Sequence, residues 1–336
     1  MADGVPARGS LRSRGAAAVS TYTLRPVTGL LPPERAWGLW LSRRIIAGIM
    51  GTLGPPLAGT RVKHIDTRLP DGRRLKGEWV YGPRTPTSEN LVPSTKAGAI
   101  YYVHGSGYAV CSPKTHRRLT SWLSSLTGLP VFCVDYRLAP RHRFPAAADD
   151  VRAGWDWLVR ACNISPKQIV IAGDSAGGHL AVDMLLQPEV TAEHSAALAL
   201  FSPLYDITFA LCLARERIRR DPAIRAADAA RLVAMYHAGL DPAHQRLTLN
   251  VAGGPPLPQT LIQAGGAEML QDDARRLAAD IRTAGGRCEL QIWPHQVHVF
   301  QALPRLTPEA AKAVTYVARF IAHALQDARA LAQEVH

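Results

Sequence analysis

The strongest constraint on how this chain folds is a run of short, mostly apolar segments that alternate with amphipathic ones from residue 99 onward. Ala99-Ile100-Tyr101-Tyr102-Val103, Pro130-Val131-Phe132-Cys133-Val134, Gln168-Ile169-Val170-Ile171-Ala172, Ala196 to Phe201, Gln259 to Gln263 and Arg287 to Trp293 read as strands. Between and after them, residues 113–128, 146–161, 177–186, 272–284 and 307–331 carry helical periodicity. A strand that is apolar at every position has both faces covered. Strand and helix in strict alternation therefore predict an α/β fold, with a mostly parallel sheet and helices on both faces.

Two regions break the rhythm. Residues 61–66 and 77–81 alternate in polarity around Asp71-Gly72, which predicts an antiparallel hairpin, and a Pro/Ser/Thr loop over 83–96 follows. Residues 205–250 hold helical stretches near 212–220 and 226–239 and no strand, so they read as an insertion able to cover a site. Nearer the N-terminus, Pro32-Pro33-Glu34 starts a helix in which Trp37, Trp40, Leu41, Ile45 and Ile49 recur at helical spacing. That helix either packs on the domain or forms a lid that touches substrate or lipid. Residues 1–20, rich in Gly, Ala, Arg and Ser, read as a disordered tail.

Composition narrows the class. The chain of 336 residues is 47% hydrophobic and 20% charged, enough for a large core in a soluble protein. The formal charge of +12 raises nucleic acid or anionic membrane as partners. The arginines are interleaved with acids, as in Arg215-Glu216-Arg217 and Arg220-Asp221, and no nucleic-acid motif accompanies them. The expectation is a solvated basic surface with no nucleic-acid partner, leaving open a weak contact with a membrane surface. The cysteines, at 111, 133, 162, 212 and 288, are odd in number and lack CxxC spacing, which argues against a disulfide framework, against a metal site and for a cytoplasmic setting. Arg8, Arg12 and Arg14 are followed by too brief an apolar stretch for a signal peptide, and glycines and prolines break the apolar run from Ile45 to Ala58.

The chemistry concentrates in four places. Gly173-Asp174-Ser175-Ala176-Gly177-Gly178 lies between an apolar strand and a helix, the context a G-x-S-x-G nucleophile elbow requires. Small residues are needed there because the turn is tight, and the following helix directs amides and its positive dipole end toward developing negative charge. A serine hydroxyl needs a base. His298 lies after the last strand, where chain order places one, and His295 is its neighbouring competitor. Glu268, in the loop after strand 259–263, can orient the base, whereas Asp272 and Asp273 sit where acids favour a helix start. The Gly-rich His104-Gly105-Ser106-Gly107 follows the strand 99–103 and can offer backbone amides. Gly105, Ser106 and Ala176 are thus the expected oxyanion hole, with His104 bracing the loop.

Together these pieces resemble the hormone-sensitive-lipase-like branch of the α/β-hydrolases, over roughly residues 75–325. Asp135-Tyr136-Arg137-Leu138-Ala139-Pro140, Phe144-Pro145-Ala146-Ala147 and Asp149-Asp150 add to the likeness. The resemblance implies an α/β-hydrolase fold with a helical cap and hydrolysis of short- to medium-chain carboxylic esters by Ser175, His298 and Glu268, with a small-molecule ester as substrate and neither cofactor nor metal. It divides the chain into an N-terminal cap segment, 21–60, a core, 61–204 and 251–336, and a cap insertion, 205–250. Three departures stand out: Ser106 replaces a glycine of the usual His-Gly-Gly-Gly, Glu268 replaces the usual Asp, and Arg141 replaces an acid after Ala-Pro. Lactone or amide hydrolysis, and a non-catalytic receptor on the same fold, are the alternatives. Oligomeric state has no signature in the sequence.

Overall fold

The computed structural model describes residues 4–87, 98–105, 107–191 and 193–334. Along the chain it contains α1 (Leu11–Tyr22), α2 (Leu24–Leu30), α3 (Ala36–Leu53), β1 (Arg61–Arg68), β2 (Arg74–Tyr81), β3 (Ala99–Val103), α4 (Pro113–Thr127), β4 (Val131–Val134) and α5 (Ala146–Asp156). Then follow β5 (Ile169–Asp174), α6 (Ala176–Leu185), α7 (Pro188–Thr191), β6 (Ala197–Phe201), α8 (Ala210–Ile218), α9 (Ala226–His237), β7 (Thr260–Gly265), α10 (Gln271–Thr283), β8 (Cys288–Trp293) and α11 (Glu309–Glu334). Each expected strand and helix has its counterpart. The segment 88–97, most of the loop expected over 83–96, lies outside the described residues, as does Ser106.

The strands form one sheet in the order β1-β2-β4-β3-β5-β6-β7-β8. The hairpin β1–β2 is antiparallel, closing at Arg68 opposite Arg74, with Gly72 at φ 85° in the turn. Strand β2 also runs antiparallel to β4, and the remaining pairs are parallel. This is the α/β-hydrolase arrangement that the resemblance implies.

Alternate residues of the buried strands point to opposite faces. Tyr101, Phe132 and Ile171 meet α5, α6 and α10 through Val151, Leu180 and Leu277. Ile100, Val131 and Val170 meet α4 and α11 through Leu123, Val317 and Ile321. Local signals set the helix ends. Ser112 and Thr115 form a capping box at the start of α4, Pro113 occupies its first turn, and Gly128 ends it at φ 73°.

The expected disordered tail over 1–20 is corrected by α1. Ser10 caps that helix, accepting a hydrogen bond from the Ser13 amide. The Glu309 carboxylate, in the first turn of α11, accepts from the Ser10 amide and from the buried Ser13 hydroxyl. Composition favours disorder here, but a partner almost three hundred residues away in sequence anchors the segment.

Phe132 is fully buried and meets Trp79, Trp157 and Tyr101 at ring-centroid distances of 5.2, 4.8 and 6.0 Å. Phe132→Ala should cost about 3–5 kcal/mol of stability, measured as a fall in the urea midpoint. An unchanged midpoint would show that this cluster does not stabilise the β2–β4–β3 side of the sheet.

Candidate active site

Strand β5 ends at Asp174 and α6 begins at Ala176, leaving Ser175 alone on the turn with φ 51° and ψ −126°. That conformation is strained for a residue with a Cβ and persists only when its surroundings over-determine it. Here the Ser175 amide donates to Phe201 O at 3.0 Å, and its carbonyl accepts from Gly178 N at 2.9 Å and Leu204 N at 3.0 Å. A Cβ on Gly177 would lie 2.1 Å from Val103 O, so the small residue at that position is a steric necessity.

His298 and Glu268 meet from two loops. His298 Nδ1 is 2.9 Å from Glu268 Oε2, and Glu268 Oε1 accepts from the Gly265 amide at 3.0 Å. Glu268 has no solvent exposure. Ser202 joins the two loops: its hydroxyl accepts from the Val299 amide at 3.1 Å and also bonds the Glu268 carboxylate. Burial raises the Glu268 pKa above its ordinary 4.5, against the opposing pull of His298 and Ser202. Burial alone would lower the His298 pKa. The bond to Glu268 and that group's charge, with Asp221 and Asp174 adding, reverse this and raise it above 6.5.

The competing residues lie elsewhere. His295 Nδ1 faces the Gly9 amide at 3.4 Å. Asp272 pairs with Arg215 at 3.3 Å. Asp273 is buried, accepts from the Tyr205 and Asp206 amides at 2.9 and 2.8 Å, and is pushed up to about 7 by that burial.

The loop after β3 carries a correction. The Gly105 amide donates to Asp174 Oδ1 at 2.9 Å, so it is committed to that carboxylate rather than to an oxyanion. Its neighbour Gly107, at φ 51°, lines the cavity together with Ser175 and His298. His104 is fully buried, its ring stacked on Tyr136 at 4.2 Å, and the Tyr136 hydroxyl donates to His104 O at 2.6 Å. Burial, with His116 nearby, pushes the His104 pKa down to about 3, so the ring is neutral at any ordinary pH.

Several supporting residues carry no signal of this kind in the sequence. Asp174, inside the elbow motif, accepts from the Tyr102 hydroxyl at 2.7 Å and faces His116 Nε2 at 3.3 Å. Burial would raise its pKa, but His116, Tyr102 and the Gly105 amide together lower it, so it stays ionised. From the insertion, Arg215 donates to Glu268 O at 2.9 Å and Gly266 O at 3.2 Å, and buried Asp221 accepts from the Met269 amide at 2.8 Å. The loop that carries Glu268 is thus held by residues roughly fifty positions upstream.

The cavity beside Ser175 has a volume of about 290 Å³. Its walls are largely apolar: Ile45, Ile46 and Met50 of α3 and Leu232 and Val233 of α9 face Leu204, Phe209 and Met269. Among the described residues, no group of three or more His, Cys, Asp or Glu is placed to hold a metal ion.

Residues 100–302 match a family model described as the alpha/beta hydrolase fold. Esterase LipU of Mycobacterium tuberculosis is 36% identical over 67% of this chain and 78% of its own length. Carboxylesterase/phospholipase LipF of the same organism is 34% identical over 68% of this chain, which spans 62% of that relative. Among solved structures, an esterase of the bacterial hormone-sensitive lipase family aligns with a TM-score of 0.78 at 28% identity, covering 94% of this chain and 97% of that one. An esterase/lipase from an uncultured bacterium aligns with a TM-score of 0.79 at 27% identity, covering 94% and 99%. The turn bearing Ser175, the sheet that carries it and these likenesses agree: the chain belongs to the α/β-hydrolase family, in its hormone-sensitive-lipase-like branch of esterases and lipases.

Proposed function

We propose that this protein hydrolyses short- to medium-chain carboxylic esters through an acyl-enzyme on Ser175, with His298 as base and Glu268 as the acid that orients it. The observation that carries this reading is the 2.9 Å His298–Glu268 bond on the wall of the cavity that Ser175 also lines. In the proposed reaction Ser175 Oγ attacks the ester carbonyl while His298 Nε2 takes the hydroxyl proton. The oxyanion is held by the amides of Ser106, Gly107 and Ala176, with Gly107 in place of Gly105. His298 then protonates the leaving alcohol, and water repeats the sequence to release the acid. Glu268, buried and bonded to Nδ1, keeps Nε2 free to accept and stabilises the imidazolium.

The cavity supports a small substrate. Its volume of about 290 Å³ sits at the low end of the roughly 300–1,000 Å³ of small-molecule sites. Apolar walls suit an acyl chain, and we assign residues 21–60 and 205–250 as the cap that supplies many of them over a core of 61–204 and 251–336. Related proteins named esterase, carboxylesterase and acetyl-hydrolase support the reaction class.

Activity on p-nitrophenyl esters should peak at short acyl chains, and Ser175→Ala should abolish both turnover and labelling by a fluorophosphonate. Labelling of the variant equal to that of wild type would remove Ser175 from its role. A protein active only on lactones or amides would keep the nucleophile and change the substrate class.

The base must be neutral to accept a proton, and His298 in the folded protein has a raised pKa. Activity should therefore fall as pH drops through a value above 6.5, seen as the acid limb of kcat/KM. Glu268→Gln removes the charge that raises it and leaves the burial that lowers it. The limb should then move to lower pH, while kcat falls on the order of 10³–10⁴. An acid limb that stays in place would assign it to a different group.

A further inference from the structure

Helix α3 has two unlike faces. Ser42, Ile45, Ile46 and Met50 line the cavity. On the outward face, one turn apart, Trp37 and Trp40 are each 58% exposed, and the Arg44 guanidinium lies over the Trp40 ring at 5.1 Å. Leu30, at the end of α2, is 78% exposed, while its neighbour Leu31 lines the cavity. Large apolar side chains presented beside a pocket mouth mark an interaction surface rather than scatter.

The N-terminal segment that carries this face is strongly basic. Across residues 4–53 Glu34 is the sole acid, and it pairs with Arg231 at 3.3 Å. Arg35 and Arg44 are exposed on or beside α3, while the Arg43 guanidinium turns inward to Ala109 O at 2.8 Å. A surface recess of about 590 Å³ adds Arg217, Arg220 and Arg225, with Arg25 and Glu216 paired on its wall. This recess is contiguous with α2, since a Cβ on Gly29 would lie 2.6 Å from Arg225 Cζ. Gly29 directly precedes the exposed Leu30, so basic recess, exposed apolar residues and pocket mouth follow one another along the surface.

We propose that this face docks on an anionic phospholipid bilayer, with Leu30, Trp37 and Trp40 in the interfacial layer and the arginines of the recess against headgroup phosphates. Tryptophan favours that layer because its ring is apolar and its N–H can stay hydrated. Basic side chains near an anionic leaflet each strengthen binding several-fold. No helix among the described residues is long and apolar enough to cross a membrane, so the contact is peripheral. A helix is about 10 Å across, so docking one face of α3 brings the cavity on its other face within that distance of the lipid. An ester dissolved in the membrane then reaches the pocket without crossing bulk water. The docking goes beyond the ester reading, and its test reads binding without turnover.

The experiment is sedimentation with phosphatidylcholine vesicles, with and without phosphatidylglycerol. The wild-type protein should bind the anionic vesicles and be released by salt. Trp37→Ser/Trp40→Ser and Arg217→Gln/Arg220→Gln should each weaken binding about tenfold or more. Both variants should hydrolyse p-nitrophenyl acetate in solution as wild type does, which also verifies their fold. Should the tryptophan variant fail to fold, quenching of wild-type tryptophan emission by brominated lipid decides, since the other tryptophans are buried or half-buried. Absence of wild-type binding, binding equal on neutral vesicles, variants that bind like wild type, or a soluble dimer that the tryptophan variant splits would each overturn the proposal.

Discussion

The arrangement depends on one buried carboxylate. Asp174 ends β5, directly before Ser175, and has almost no contact with solvent. A carboxylate in that position is costly unless it is bonded throughout. It is bonded to Tyr102 on β3, to the Gly105 amide in the loop that follows, and to His116 on α4. The nucleophile strand, the loop facing it and the covering helix are therefore joined through a single charge. Tyr136, at the end of β4, continues the chain of contacts by donating to His104 O. This cluster fixes the backbone on both sides of Ser175, and Gly105, His116 and Asp174 also line the cavity beside it.

The opposite side of the site is held by a second, independent set of contacts. Glu268 is bonded by the Gly265 amide at the end of β7 and by Ser202 just after β6. The insertion adds Arg215 and Asp221, which grip the backbone of that loop. The segment that contributes to the pocket wall thus also holds the loop that carries Glu268.

Helix α3 connects the inside of the molecule to its surroundings. Its sequence contains no acid and, apart from Ser42, Arg43, Arg44 and Thr52, consists of apolar residues, glycine and alanine. Such a helix can be apolar on both sides, one against a pocket and one against a lipid interface.

Patterns that depend on neighbours in sequence were legible from the start. Apolar runs and helical periodicity located the parallel strands and the helices between them, because burial on two faces leaves few polar positions in a strand. The elbow around Ser175 was legible because steric crowding demands small residues at fixed spacing. Chain order pointed to Glu268 and His298, which the structure brings to 2.9 Å from each other. The tertiary structure decided what depends on contacts distant in sequence. It spends the Gly105 amide on Asp174, anchors α1 through Glu309, and clamps the acid loop with Arg215 and Asp221. It also turns Trp37 and Trp40 outward while Ile45 and Ile46 face the cavity. A hydrogen bond between residues fifty or three hundred positions apart leaves no local periodicity, and a helix with large apolar residues on more than one side does not declare which of them will meet the pocket.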